Sequence, residues 1–118
     1  MKFTGKLEQR PASLQPGKKE TLHMISFTVR MRFAPEDRIE MADLLRQLTV
    51  ATRQEPGCVS YIPHRLEGDP DTFLIYEQYA DAAAEATHRQ SAHFKKYAVG
   101  GLFQKMLDRN REDLIALA

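Results

Sequence analysis

Four histidines and one cysteine are the side chains here best suited to proton transfer or metal ligation. His88 follows an alanine run, Ala82-Ala83-Ala84-Glu85-Ala86, and sits near the end of the helix that run predicts. An imidazole takes up a proton near neutral pH because its ordinary pKa is about 6.5, so His88 is the leading candidate for a general base. The alternative is a structural histidine bonded to a backbone carbonyl. His93 stands five residues on, about 140° around an ideal helix, so the spacing predicts no shared ion and no metal site is expected. His93 would instead fix a break between two helical pieces. His23 and His64 read as solvated or structural.

Tyr61, Tyr76 and Tyr79 come from adjacent strand-like segments, Tyr79 sharing a face with Phe73, Ile75 and Glu77 while Tyr76 points the other way, and are open either to packing or to holding an aromatic ligand. Glu77 lies between Tyr76 and Gln78 in an apolar strand. A carboxylate there needs a partner if buried: an arginine across a subunit interface, such as Arg30 or Arg65, could supply it, or Glu77 could orient a pocket group. Cys58 follows a Pro-Gly turn and reads as a small buried side chain. A single cysteine also excludes an internal disulfide and a zinc site built on several thiolates. Gly100-Gly101 is not followed by Lys-Ser or Lys-Thr, so there is no phosphate loop, and no Gly-x-Ser-x-Gly elbow occurs.

The elements that must position these residues follow from periodicity. Between Leu22 and Phe33 the apolar residues Ile25, Phe27, Val29, Met31 and Phe33 alternate with polar ones, which predicts a strand with one buried face. Pro35, Glu36 and Asp37 then open a helix over about residues 36–54, carried by Met41, Leu44, Leu45, Leu48 and Ala51 and ended by Pro56-Gly57. Residues 58–66 predict a second strand, and Pro63 inside it demands a sheet edge or a bulge. A hairpin loop over 67–71 leads to a third strand over 72–79. Asp81 caps the next helix. A further helical piece starts near Ser91 and is interrupted by Gly100-Gly101, with helical turns over 102–108 and a last strand over 113–118.

The order β-α-β-β-α-β is an α+β, ferredoxin-like split β-α-β arrangement. Its usual strand order, 4-1-3-2, puts the second strand at an edge, as Pro63 independently requires. Residues 1–20 carry five basic and two acidic residues with two prolines, and read as a mobile N-terminal arm ahead of one folded domain over 21–118. The net charge of +1 and the lack of a basic run argue against nucleic-acid binding. No apolar stretch approaches the ~20 residues needed to cross a bilayer, and no secretory h-region is present, so a cytoplasmic protein is expected.

Three pieces carry a resemblance: Glu55-Pro56-Gly57-Cys58-Val59-Ser60-Tyr61, then Tyr76-Glu77-Gln78-Tyr79, then His88-Arg89-Gln90-Ser91-Ala92-His93-Phe94. In order and spacing the chain resembles the antibiotic biosynthesis monooxygenase family over roughly residues 21–118. The resemblance implies a homodimer whose sheets pack face to face as a dimeric α+β barrel. It also implies a cofactor-independent oxygenase that turns a quinol or polycyclic phenol and O₂ into a quinone. His88 would be the base, with Tyr61 and Tyr79 positioning the ring and Glu77, His93 and Phe94 contacting substrate. The chain has no tryptophan, which many members carry where Tyr79 stands, and its single asparagine is Asn110. Both departures argue against haem degradation. Two alternatives remain on the same scaffold. One is an isomerase of small phosphorylated or keto compounds, anchored by Arg30, Arg32 or Arg65. The other is a non-catalytic binding or stress-response dimer.

Overall fold

The computed structural model describes residues 24–118. The arm over 1–20 and His23 lie outside the described residues. Four strands, β1 (Ile25–Arg32), β2 (Cys58–Leu66), β3 (Asp69–Tyr79) and β4 (Asp108–Leu114), form one antiparallel sheet ordered β2-β3-β1-β4. This is the ferredoxin-like order. Pro63 lies on the edge strand β2, where its missing N–H leaves no broken ladder bond to a further strand.

A short 3₁₀ turn (Pro35–Asp37) leads into α1 (Arg38–Thr52), which buries Met41, Leu45, Leu48, Thr49 and Thr52 against the sheet. Phe27, Val29, Met31, Phe73, Ile75 and Tyr79 meet it from one sheet face, as strand alternation requires. The opposite face presents Thr28, Arg30, Ile62, His64, Leu74 and Tyr76 without a covering layer among the described residues.

α2 (Ala82–Gln90) starts at Asp81, whose carboxylate accepts from the Ala84 N–H at 2.8 Å. It stops at Ser91, whose backbone is extended (ψ 155°). Ser91 closes one helix and opens the next. Its hydroxyl donates to the His88 carbonyl at 2.7 Å and accepts from the Phe94 N–H at 3.2 Å.

Three expectations are corrected. The helical segment after Ser91 is a π-helix over Phe94–Leu102, and it runs on through Gly100-Gly101 into α3 (Phe103–Lys105). The glycine serves close packing there: a Cβ on Gly101 would stand 2.7 Å from Leu44 Cδ1 on α1. The last strand is 108–114, not 113–118. Leu107 N–H bonds the Arg32 carbonyl at 2.8 Å, and Arg32 pairs with Asp108, which sets the register early. Ile115 and Leu117, which suggested the later strand, are exposed. The hairpin loop is shorter than predicted, because β3 already begins at Asp69 and leaves a two-residue turn, Glu67-Gly68.

Candidate active site

The Glu-Pro-Gly turn between α1 and β2 builds one wall of the site. Gly57 lets α2 settle onto this turn, since a Cβ there would lie 2.4 Å from the Ala84 Cβ. The close approach brings the Glu55 carboxylate under His88. Glu55 Oε2 lies 2.9 Å from His88 Nδ1 and is also hydrogen-bonded to His93 Nε2. Two imidazoles thus converge on one carboxylate oxygen, because the break at Ser91 releases His93 from the helical angle that would have turned it away. His88 and His93 therefore share a partner despite the angle of about 140° that an ideal helix would set between them. The ligand-capable atoms of Glu55, His88 and His93 all lie within 4.8 Å of one another, so these three residues are where an ion could be held.

His88 is 3% exposed, with its ring caged by Tyr79 and Phe94 (centroids 5.1 Å each) and Tyr61 (5.9 Å). Burial pushes its pKa below the ordinary 6.5, against the opposing pull of Glu55. The ring is thus neutral near pH 7. With Nδ1 donating to the Glu55 carboxylate, Nε2 keeps its lone pair. Nε2 points toward Glu77 Oε1 at 3.9 Å. Tyr79 donates its hydroxyl to the same Glu77 oxygen at 2.7 Å. Burial raises the Glu77 pKa to about 7, with the Tyr79 hydrogen bond and Arg111 opposing the rise. Burial likewise raises the pKa of both tyrosines, Glu77 adding to it, so both hydroxyls stay protonated.

A cavity of about 50 Å³ opens beside this cluster. Phe27, Val29, Tyr61, Ile75, Phe94 and Phe103 give it apolar walls, with Glu77 and His88 at its polar end. Arg89, Arg109 and Arg111 also line it, with Glu85. An apolar cavity that holds benzene measures about 150 Å³, so entry of an aromatic ring requires the walls to part. The cover that must move is visible. Arg111 lies 3.7 Å over the Phe27 ring, and Arg109 5.7 Å from Phe103.

Of the residues singled out from sequence, His88, Tyr61, Glu77 and Phe94 line this cavity. Tyr79 is fully buried and is not part of the lining; it holds Glu77. His93 is bonded to Glu55 instead of facing the cavity. Glu77 takes its hydrogen bond from Tyr79. Arg30 is on the other sheet face, and Arg65 lies in a separate concavity with Arg38 and Arg46. Arg30, Arg32 and Arg65, the proposed anchors of an isomerase substrate, do not line the His88 cavity. Glu55, Arg89, Arg109 and Arg111 were given no role from sequence.

Residues 24–99 match the family model described as antibiotic biosynthesis monooxygenase, which is well over half of the chain. The chain belongs to the antibiotic biosynthesis monooxygenase family. It is 30% identical over 93 residues to the Bacillus subtilis (strain 168) protein named "Putative monooxygenase YcnE", covering 77% of this chain and 98% of that one. The solved structure of PA3566 from Pseudomonas aeruginosa superposes with a TM-score of 0.77 at 26% identity, over 83% of this chain and 98% of the other. A crystal structure of an antibiotic biosynthesis monooxygenase gives 0.74 at 25% identity, over 80% and 99%. All three pieces that carried the resemblance fall inside the span matched to the family. The structure brings their Glu55, Glu77 and His88 together in one polar cluster.

Proposed function

We propose that this protein is a cofactor-independent monooxygenase that oxidises a quinol or polycyclic phenol with O₂, and that it works as a homodimer. The observation that carries the reading is His88: a buried imidazole held at Nδ1 by Glu55, its Nε2 aimed at the polar end of an aromatic-walled cavity.

The chemistry follows from that geometry. The phenol O–H gives its proton to His88 Nε2, and Glu55 stabilises the imidazolium that forms. The phenolate is electron-rich enough to pass one electron to O₂. The two radicals combine, forming a C–O bond to a ring carbon that bears hydrogen, and His88 returns the proton to the peroxide. The O–O bond then breaks as water leaves and the carbon becomes a carbonyl. One oxygen atom stays in the quinone and the other departs in water. The substrate supplies every electron, so no external reductant enters the balance. Tyr61 and Phe94 hold the ring, and Tyr79 keeps Glu77 in place behind it.

The homodimer is supported by the uncovered sheet face, where Ile62, Leu74 and Tyr76 adjoin Thr28.

The test is O₂ uptake by the purified protein with a panel of quinols and anthrone-type phenols, beside His88→Gln and a no-protein control for autoxidation. Uptake above the control that His88→Gln abolishes supports the reading. Turnover that persists under nitrogen would replace it with the isomerase.

A further inference from the structure

The cavity has a cationic mouth that proton abstraction does not use. Arg109 and Arg111 alternate on the helix-facing side of β4, and Arg89 reaches the same cavity from the end of α2. Two of the three are neutralised. Glu85 Oε2 accepts from both Arg89 Nη1 and Arg111 Nη1, the latter at 2.8 Å, and Arg111 Nε also donates to Asp113 at 2.8 Å. Arg109 has no carboxylate partner among the described residues. Its near neighbour is the Phe103 ring. Among the described residues an exposed guanidinium thus stands without a counter-charge at the rim of a largely apolar cavity, where a fork of N–H donors suits a planar carboxylate.

Position adds a length. Arg109 pairs with Met31 and Glu77 with Phe27, four residues apart along β1, which is on the order of 13 Å. After the reach of the two side chains, the interval fits a fused two- or three-ring ligand.

We infer that the ligand of this cavity is a fused-ring phenol bearing a carboxylate, with the carboxylate bound by Arg109 at the mouth and the phenol end directed toward His88. This deepens the oxygenase reading and rests on that reading's choice of cavity. Binding the anion also draws Arg109 off Phe103, one of the two contacts that cover the cavity.

The test is binding, not turnover. Fluorescence titration compares 6-hydroxy-2-naphthoate with 2-naphthol, the same ring without the carboxylate, on wild type, Arg109→Gln, Arg109→Lys and, as a surface control, Arg65→Gln. The expected result is a carboxylate preference of roughly tenfold in wild type, lost in Arg109→Gln, partly kept in Arg109→Lys and unchanged in Arg65→Gln. The preference should weaken with added salt. Equal affinities in wild type, no binding of either probe, or a preference that survives Arg109→Gln would overturn it. Carboxylate preference without O₂ uptake would sink the oxygenase reading alone. O₂ uptake without carboxylate preference would sink this inference alone.

Discussion

Glu55 governs what His88 can do. Its hydrogen bond and charge are the largest influences that raise the basicity of an imidazole which burial depresses, with Glu85 adding to them. In Glu55→Gln, Nδ1 loses its anionic acceptor and the imidazolium its counter-charge. The expected outcome is a kcat lower by roughly 10- to 100-fold with KM little changed. The acid limb of the kcat/KM profile should move to lower pH. Glu77 yields a prediction about stability. Its folded pKa is raised from an ordinary 4.5 to about 7, so the folded state holds this proton more tightly than the unfolded one. Stability from this group is fully present below pH 4.5 and is lost as pH rises through 7. Glu77→Gln keeps an acceptor for Tyr79 and removes the titration. Urea denaturation should show the variant more stable than wild type at pH 8, by on the order of 1–3 kcal/mol, and little changed at pH 4.5. His88, Tyr61, Glu77 and Phe94 were legible in the sequence because alternation and the family pieces place them. Glu55 was not, since a carboxylate before Pro-Gly reads equally well as part of a turn. Arg109 and Arg111 were missed because Ile115 and Leu117 drew the last strand too far toward the C-terminus. Two arginines at a spacing of two after Leu107 were the signal available.

The elements succeed or fail by how closely they approach. At Gly57 the turn and α2 touch where one more carbon would overlap Ala84. Gly57→Ala should therefore destabilise by about 1–3 kcal/mol in chemical denaturation. Adding Ala84→Gly should recover part of that loss, although a glycine in a helix itself costs about 1 kcal/mol. Equal losses for Gly57→Ala with and without Ala84→Gly would show that the close approach is not the cause. Strand and helix identities were readable up to Gln90 because β1 has a clean period of two and α1 one of three to four, while turn formers, the Asp81 cap and the alanine run mark the others. Beyond Ser91 periodicity fails for a physical reason: a π-helix turns each residue less than an α-helix does, and Gly101 packs against α1 where sequence rules read a break. In β4 Arg109 and Arg111, not apolar side chains, line the cavity, their guanidinium groups over Phe103 and Phe27, so the strand lacks the usual alternation.

At the scale of the molecule, none of the helices among the described residues is long and apolar enough to cross a membrane. The proposed dimer predicts a mass by light scattering of twice the chain's 13.5 kDa at micromolar concentration. Leu74→Asp, on the uncovered face, should shift it toward one chain. A wild-type monomer at that concentration would remove the dimer from the proposal.

Among the described residues both rims of the sheet resist growth. Along β2 the ring of Pro63 leaves a gap in the donors that an incoming strand would need. Along β4 the run Asp108-Arg109-Asn110-Arg111-Glu112-Asp113 sets charges where an added strand would have to shed water. Association by lateral strand addition, the route to open-ended fibres, is thereby disfavoured at either end. That leaves the broad face for the proposed homodimer, in which two copies related by a twofold axis would satisfy each other and growth would stop at a pair.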